Sequence, residues 1–402
     1  MIEPTTNIFQ YIQNLNQNFK ILLITDTKVN KQYGFYLKNI PKLVLDFNYD
    51  FKNLSTVDKI LSYISENKFN KNQSILIGFG GGEILNLTGF AASIYLNGIR
   101  YVYIPTDLLS MVKDSIDNYC NLDTKDSENS IGFYNRPEKI VHDFRFIQNL
   151  NITDLSYGMA YIFKIVLLFS LDVWNYLKIN NIEYFQQNFT KLQELIKVTI
   201  DTKQAIINMN NRELNNQRLF ISFGDLIGSS IDAVFNKQHG HYLGLGMLKE
   251  LEFGNLTFEQ VEEIKQIFKN YKIETEIDND SNQLILNHIK LNNFNNYLVT
   301  LNKICEPKLL NLTFKNLEQV FNLEKEVYYQ PNDLSEIEFI APSSKSETNR
   351  LLIIYALSKK VHTLKNILLS DDTKHMINAL TQLGVNIKVK NNDAIIDRKS
   401  VV

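Results

Sequence analysis

Gly80, Gly81 and Gly82 fall between the apolar run "SILIGF" and the segment "EILNLTGFAASIYL". Three residues without side chains at a strand-to-helix junction can turn backbone amides toward a phosphate, and the helix dipole favours negative charge there. The triplet lacks the GxGxxG spacing of a dinucleotide fingerprint, so a tight structural turn stands as an equal alternative. Asp26 closes an earlier run, "KILLITD". A strand-ending acid can take a pair of ribose hydroxyls, or it can cap a turn. The two cysteines, Cys120 and Cys305, have no metal or redox spacing, so a reduced, cytoplasmic compartment fits.

Stepping outward, "KILLITD", "KLVLDF", "SILIGFG", "YVYIPT" and "KIVHDF" read as strands, and "TVDKILSYISEN" and "EILNLTGFAASIYL" have helical spacing. Such alternation predicts a parallel sheet with helices on both faces. From about Thr153 the strands stop, and segments such as "QNFTKLQELIKVTIDTKQAIINM" and "TFEQVEEIKQIFKNY" predict helices to about Tyr297. The expected organisation is an α/β Rossmann-like part over residues 1–150, a helical part over 151–322, a polar linker over 323–335, and a third α/β unit over 336–402.

With 402 residues the chain can fill several cores, and 42 Lys plus Arg against 44 Asp plus Glu give no electrostatic reason for nucleic acid or an anionic membrane as partner. The N-terminal stretch lacks the basic and apolar regions of a signal peptide, and the longest apolar runs, "IVLLFSL" and "LLIIYAL", are too short to span a bilayer. Abundant asparagine is spread over the chain and forms no prion-like block.

"GGGEILNLTGFAASIYLNGIRYVYIPTDLL", "SIGFYNRP", "GMAYIFK" and "HGHYLGLGM" follow the order and spacing of motifs in 3-dehydroquinate synthase, which the chain resembles. Its tail, "APSSKSETNR…LLSDDTKHMINALTQLG", is similar to the opening of EPSP synthase, and the two are joined in this order in AROM polypeptides of the shikimate pathway. The resemblance implies a dehydroquinate synthase-like fold with a truncated EPSP synthase start. It also implies NAD, a zinc or cobalt ion, a seven-carbon sugar acid phosphate as substrate, and a homodimer.

Residue by residue, the resemblance puts Asp26, Lys52, Gly80, Gly81, Gly82 and Thr106 at nucleotide-contacting positions, and Lys164, Lys203, Arg218 and Asn129 at catalytic ones. The isolated cations among these can equally be solvated helix charges. Several positions depart from the motifs. The acids near the nucleotide are Asn86 and Tyr49, an arginine is Asn97, and the acid/base segment carries Lys113, Tyr119 and Glu128. At the metal, Tyr161, Asp225 and Ser229 replace a glutamate and two histidines, leaving His239, while Lys290, Leu291 and Asn292 replace an Asp-Lys-Lys triplet.

One inherited ligand does not hold zinc, because a catalytic site needs about three from the protein. A rebuilt set of Asp225, His239 and His241 is the alternative. In the tail, Lys345, Ser346 and Arg350 match the substrate-anion loop of EPSP synthase, with Ser343 in place of a glycine. The expectation is therefore a retained fold with zinc lost, NAD binding weakened and catalysis impaired, leaving a dimeric scaffold. The competing expectations are an active synthase with a rearranged site and a decaying chain of marginal stability.

Overall fold

The computed structural model describes residues 2–5, 7–46, 51–124, 129–209, 217–237, 240–277, 281–292, 297–311, 317, 321, 339–340, 345–358, 360–390 and 392–397. The chain divides into two compact units, residues 1–324 and 325–402.

In the first unit six strands form an all-parallel sheet: β1 (Ile2–Pro4), β2 (Lys20–Asp26), β3 (Lys42–Leu45), β4 (Ser74–Gly80), β5 (Arg100–Pro105) and β8 (Lys139–His142), in the order β1-β8-β5-β4-β2-β3. An antiparallel ribbon, β6 (Tyr119–Leu122) with β7 (Ile131–Tyr134), lies between β5 and β8 in sequence. The helices α1 (Ile8–Asn18), α2 (Thr27–Tyr33), α3 (Leu54–Glu66), α4 (Gly82–Ile94) and α5 (Leu108–Val112) make the connections. Neighbouring residues of one strand serve different cores, as the two-residue period of a strand buried on both faces requires. Ile21, Leu23, Ile75, Ile77, Val102 and Ile104 join one core, and Leu22, Ile24, Leu76, Tyr101 and Tyr103 join another under α3 and α4.

The helical part holds α6 (Ile152–Phe169), α7 (Leu171–Lys178), α8 (Ile182–Gln187), α9 (Phe189–Met209), α10 (Gln217–Phe220), α11 (Asp225–Val234), α12 (Leu243–Leu251), α13 (Phe258–Asn270) and α14 (Asn282–Asn292). Side chains of α6, among them Phe163 and Leu167, share the first core with the sheet, so the core runs across the change of element type near residue 150. A third cluster joins Ile227, Ile231, Leu245, Ile285 and Leu298.

Three features differ from the sequence reading. A strand, β1, precedes α1, ahead of "KILLITD", the earliest run read as a strand. An antiparallel hairpin, β9 (Tyr297–Lys303) with β10 (Glu306–Asn311), follows the helices, and the β6/β7 ribbon was not foreseen. Finally, α6 is 18 residues long and by length and composition could cross a membrane, because its turns unite apolar residues on either side of Asp154 and Lys164. It is mostly buried inside the fold, as a core helix is.

The second unit has a four-stranded sheet in the order β11 (Phe339–Ile340), β12 (His362–Lys365), β14 (Asp393–Asp397), β13 (Asn386–Lys390). Two helices, α15 (Lys345–Leu357) and α16 (Asp371–Gln382), accompany it over a core of Leu352, Ala356, Leu364, Ile367, Ala394 and Ile396. Ser370 caps α16, accepting from the Thr373 amide, and Asp371 and Asp372 suit the positive end of its dipole.

Candidate functional site

The β4–α4 junction is a tight turn from a wholly buried strand into a helix whose cap, Gly81, offers no side chain. What faces the glycines is acidic. A Cβ on Gly82 would lie 2.2 Å from Asp114 Oδ2, and one on Gly81 would lie 2.9 Å from Asp107 Oδ2. Side chains at these positions would collide with carboxylates, so the glycines permit a close approach of acid to the start of α4. Asp107 also caps α5, accepting from the Ser110 amide at 2.7 Å. Burial, with Asp114 nearby, pushes its carboxyl up to about 6.

The nucleotide candidates each have a partner within the chain. Asp26 is buried at the end of β2, and its Oδ1 accepts from the Val29 amide at 2.8 Å, capping α2. Thr106 donates its amide to the Gly80 carbonyl. Lys52 pairs with Asp123 at 3.0 Å and donates to Asn129 Oδ1 at 2.7 Å, while the Asn129 amide donates to Asp123. Asn86 accepts from the Asn121 amide and donates to the Gly82 carbonyl, tying α4 to β6. Tyr49 and Glu128 lie outside the described residues. A pyrophosphate entering at α4 would meet Asp107 and Asp114, so this cradle does not fit a nucleotide anion with those acids in place.

Two lysines, Lys164 on α6 and Lys203 on α9, are wholly buried. Neither is a solvated helix charge. Lys164 Nζ pairs with Asp225 at 2.6 Å. Lys203 Nζ pairs with Asp117 at 2.6 Å and donates to the Val112 and Lys113 carbonyls, closing the C-terminal end of α5 from a distant helix. The Tyr161 ring is close to both, with its centroid 5.4 Å from the Lys164 ammonium and 4.7 Å from that of Lys203. Its hydroxyl is buried and has no hydrogen-bond partner among the described residues. Burial lowers both lysines, and the facing aspartates oppose that shift.

Glu250 on α12 completes the group. It is buried, and its carboxylate oxygens accept from the amides of Gly224 and Ile227. Burial, with Asp225 close by, pushes it up to about 8 despite those bonds. In front lies a cavity of about 380 Å³ whose walls include Lys113, Asp114, Asp117, Asp225, Glu250 and Asn129. Lys164 and Lys203 are not among its lining residues.

The metal candidates are not brought together. Asp225 faces Lys164, and His241 Nδ1 lies 2.7 Å from the Tyr157 hydroxyl. His239 lies outside the described residues, among which no group of three His, Cys, Asp or Glu side chains converges on one point. A divalent ion beside the Lys164 ammonium would also meet like charge, so the described donors do not fit the metal. Arg218 is in α10 with its side chain undescribed, and the same holds for Lys345 and Ser346 at the start of α15, where Arg350 is exposed. Leu291 and Asn292 end α14, beyond the described side chains.

Sequence reading missed Asp107, Asp114, Asp117, Asp123 and Glu250. A signal was present in "TDLLSMVKDSID", where acids cluster just after the glycine helix and its following strand.

Residues 42–156 match the 3-dehydroquinate synthase N-terminal family, 158–293 the 3-dehydroquinate synthase C-terminal family, and 330–401 the EPSP synthase family. A 3-dehydroquinate synthase of Francisella tularensis subsp. mediasiatica is 30% identical over 288 residues, covering 68% of this chain and 79% of that protein. A pentafunctional AROM polypeptide of Scheffersomyces stipitis is 27% identical over 436 residues, covering 92% of this chain and 27% of that protein. Among solved structures, 2-deoxy-scyllo-inosose synthase complexed with carbaglucose-6-phosphate, NAD+ and Co2+ aligns with TM-score 0.67 at 17% identity, over 80% of this chain and 95% of that one. The 2-epi-5-epi-valiolone synthase of Streptomyces hygroscopicus subsp. jinggangensis, with NAD+ and Zn2+ bound, aligns with TM-score 0.69 at 16% identity, over 80% of this chain and 95% of that one. These two share the fold. On its matched segments and their order, the chain belongs to the 3-dehydroquinate synthase family, in the AROM-type arrangement that an EPSP synthase segment follows.

Proposed function

We propose that this chain is the 3-dehydroquinate synthase-like part of an AROM-type shikimate-pathway protein in which cyclising phosphate elimination has been lost and a structural role kept. One observation carries the reading: the two buried lysines at catalytic positions are closed by Asp225 and Asp117, with the Tyr161 ring close to both. A substrate phosphate and carboxylate need uncommitted cations, and a metal needs converging donors. The region offers lysines already neutralised and a carboxylate turned to a lysine. The retained role is that of a cytoplasmic scaffold, a homodimer, with NAD binding weakened where Asp107 and Asp114 crowd the glycine turn.

A second reading, an active synthase with a rearranged site, draws on the persistence of both lysines beside a cavity of about 380 Å³, within the usual size range of small-molecule pockets. Metal analysis followed by calorimetric titration with NAD separates the two. The scaffold reading expects no stoichiometric zinc or cobalt and no tight NAD binding. About one bound metal together with tight NAD binding would establish the second reading instead.

A further inference from the structure

Which groups the cavity meets is set by the ion pairs. Lys164 and Lys203 are both 0% exposed, whereas their partners Asp225 and Asp117 are 37% and 28% exposed and line the cavity. An incoming ligand therefore touches the carboxylates, with the ammonium groups behind them. Resting on the reading that the site is closed by its own side chains, we propose that Asp117 and Asp225 are built-in plugs of a latent oxyanion site. Each carboxylate takes the place on its lysine that a phosphate or carboxylate group of a ligand would take.

The geometry suits that role. A carboxylate and a phosphate offer an ammonium the same close ionic contact, here an N···O distance of 2.6 Å in both pairs. Both ammonium groups lie within 5.4 Å of the Tyr161 ring centroid, so the two positions belong to one region of the core. The charges also count out. With Glu250 of the wall protonated below about pH 8, Lys113, Lys164 and Lys203 stand against Asp114, Asp117 and Asp225, so a dianion arriving at the unaltered wall finds no surplus of positive charge. Neutralising both plugs leaves a surplus of two, the charge of a phosphate dianion.

The test is titration of the full chain and of Asp117→Asn, Asp225→Asn and the double variant with inorganic phosphate, by calorimetry and by thermal unfolding. The unaltered chain should show no saturable binding at millimolar phosphate. Each single variant should gain about tenfold or more in affinity, the double variant should gain most, and adding Lys203→Met to Asp117→Asn should abolish the gain. Phosphate should also raise the unfolding temperature of the variants and leave that of the unaltered chain in place.

Equal binding by the unaltered chain, or folded variants that gain nothing, would overturn the plugs. So would variants that stay unfolded in excess phosphate, since phosphate should replace the missing carboxylate. Absent binding by the variants sinks the plugs and leaves the loss of turnover untouched. Turnover by the unaltered chain sinks that loss, whatever the variants do.

Discussion

At the β4–α4 turn all three glycines are present, and the unexpected feature is what faces them: Asp107 and Asp114, close to the start of α4. At α6 and α9 both lysines are present, and the unexpected feature is what pairs with them: Asp225 and Asp117. The turn is a backbone feature that folding alone requires, since a strand must enter a helix within a few residues. The lysines are different, because a buried ammonium with no anion costs far more than a buried apolar group. A glycine turn therefore persists without a ligand at little cost, whereas a buried lysine persists only if the chain supplies an anion of its own.

Removing a lysine should break that contrast most sharply. Lys203→Met deletes an ion pair and the contacts to the Val112 and Lys113 carbonyls, so chemical denaturation should report a loss of about 3–5 kcal/mol. At the turn, Gly82→Ala pushes a methyl toward a carboxylate that can swing aside, and the same measurement should report a smaller loss of about 1–3 kcal/mol. Equal losses would erase the distinction between the two regions.

Acidity sharpens it next. Asp107 titrates at about 6 in the fold against an ordinary 3.8, and Glu250 at about 8 against an ordinary 4.5. Both carboxyls are raised, so the folded state holds the extra proton and stability falls as pH rises between each ordinary value and each raised one. Above pH 6 the turn has finished contributing, while Glu250 continues to about pH 8, with a slope of up to about 1.4 kcal/mol per pH unit. Glu250→Gln should flatten stability between pH 6 and 8, and Asp107→Asn should act only below that window. Buried His142, lowered to about 4 from 6.5, works in the opposite direction, losing stability as pH falls from 6.5 toward 4. The smallest effect belongs to a pair outside both regions. Glu138→Gln, which breaks the part-exposed pair with Arg100, should cost under about 1 kcal/mol and lose even that in high salt.

The strands β2 and β4 were legible to the residue, because their apolar runs are short, continuous and bounded by polar positions. The β6/β7 ribbon was not, since Tyr119–Leu122 and Ile131–Tyr134 carry only two or three apolar residues each and pair across an intervening loop. The hairpin after α14 escaped notice for a related reason: "YLVTLNK" and "EPKLLN" follow an asparagine-rich run that hides their start. At the site, residue type revealed which motif positions had changed but not what the new side chains do. Asp225 read as a substitute metal donor, and only the fold shows it turned to Lys164. Asp26 read as ribose contact or cap with equal force, and the structure gives it the Val29 amide. Lys164 and Lys203 read as surface charges or functional cations, a choice that burial decides and one sequence does not reveal.

The most direct test of the closed site is release of inorganic phosphate from the seven-carbon sugar acid phosphate by the purified chain, with NAD and zinc supplied in excess. No release above a heat-denatured control, from a sample that unfolds cooperatively, is the predicted result. Sustained release that requires both NAD and zinc would contradict it, and would mean that Asp117 and Asp225 leave their lysines during turnover.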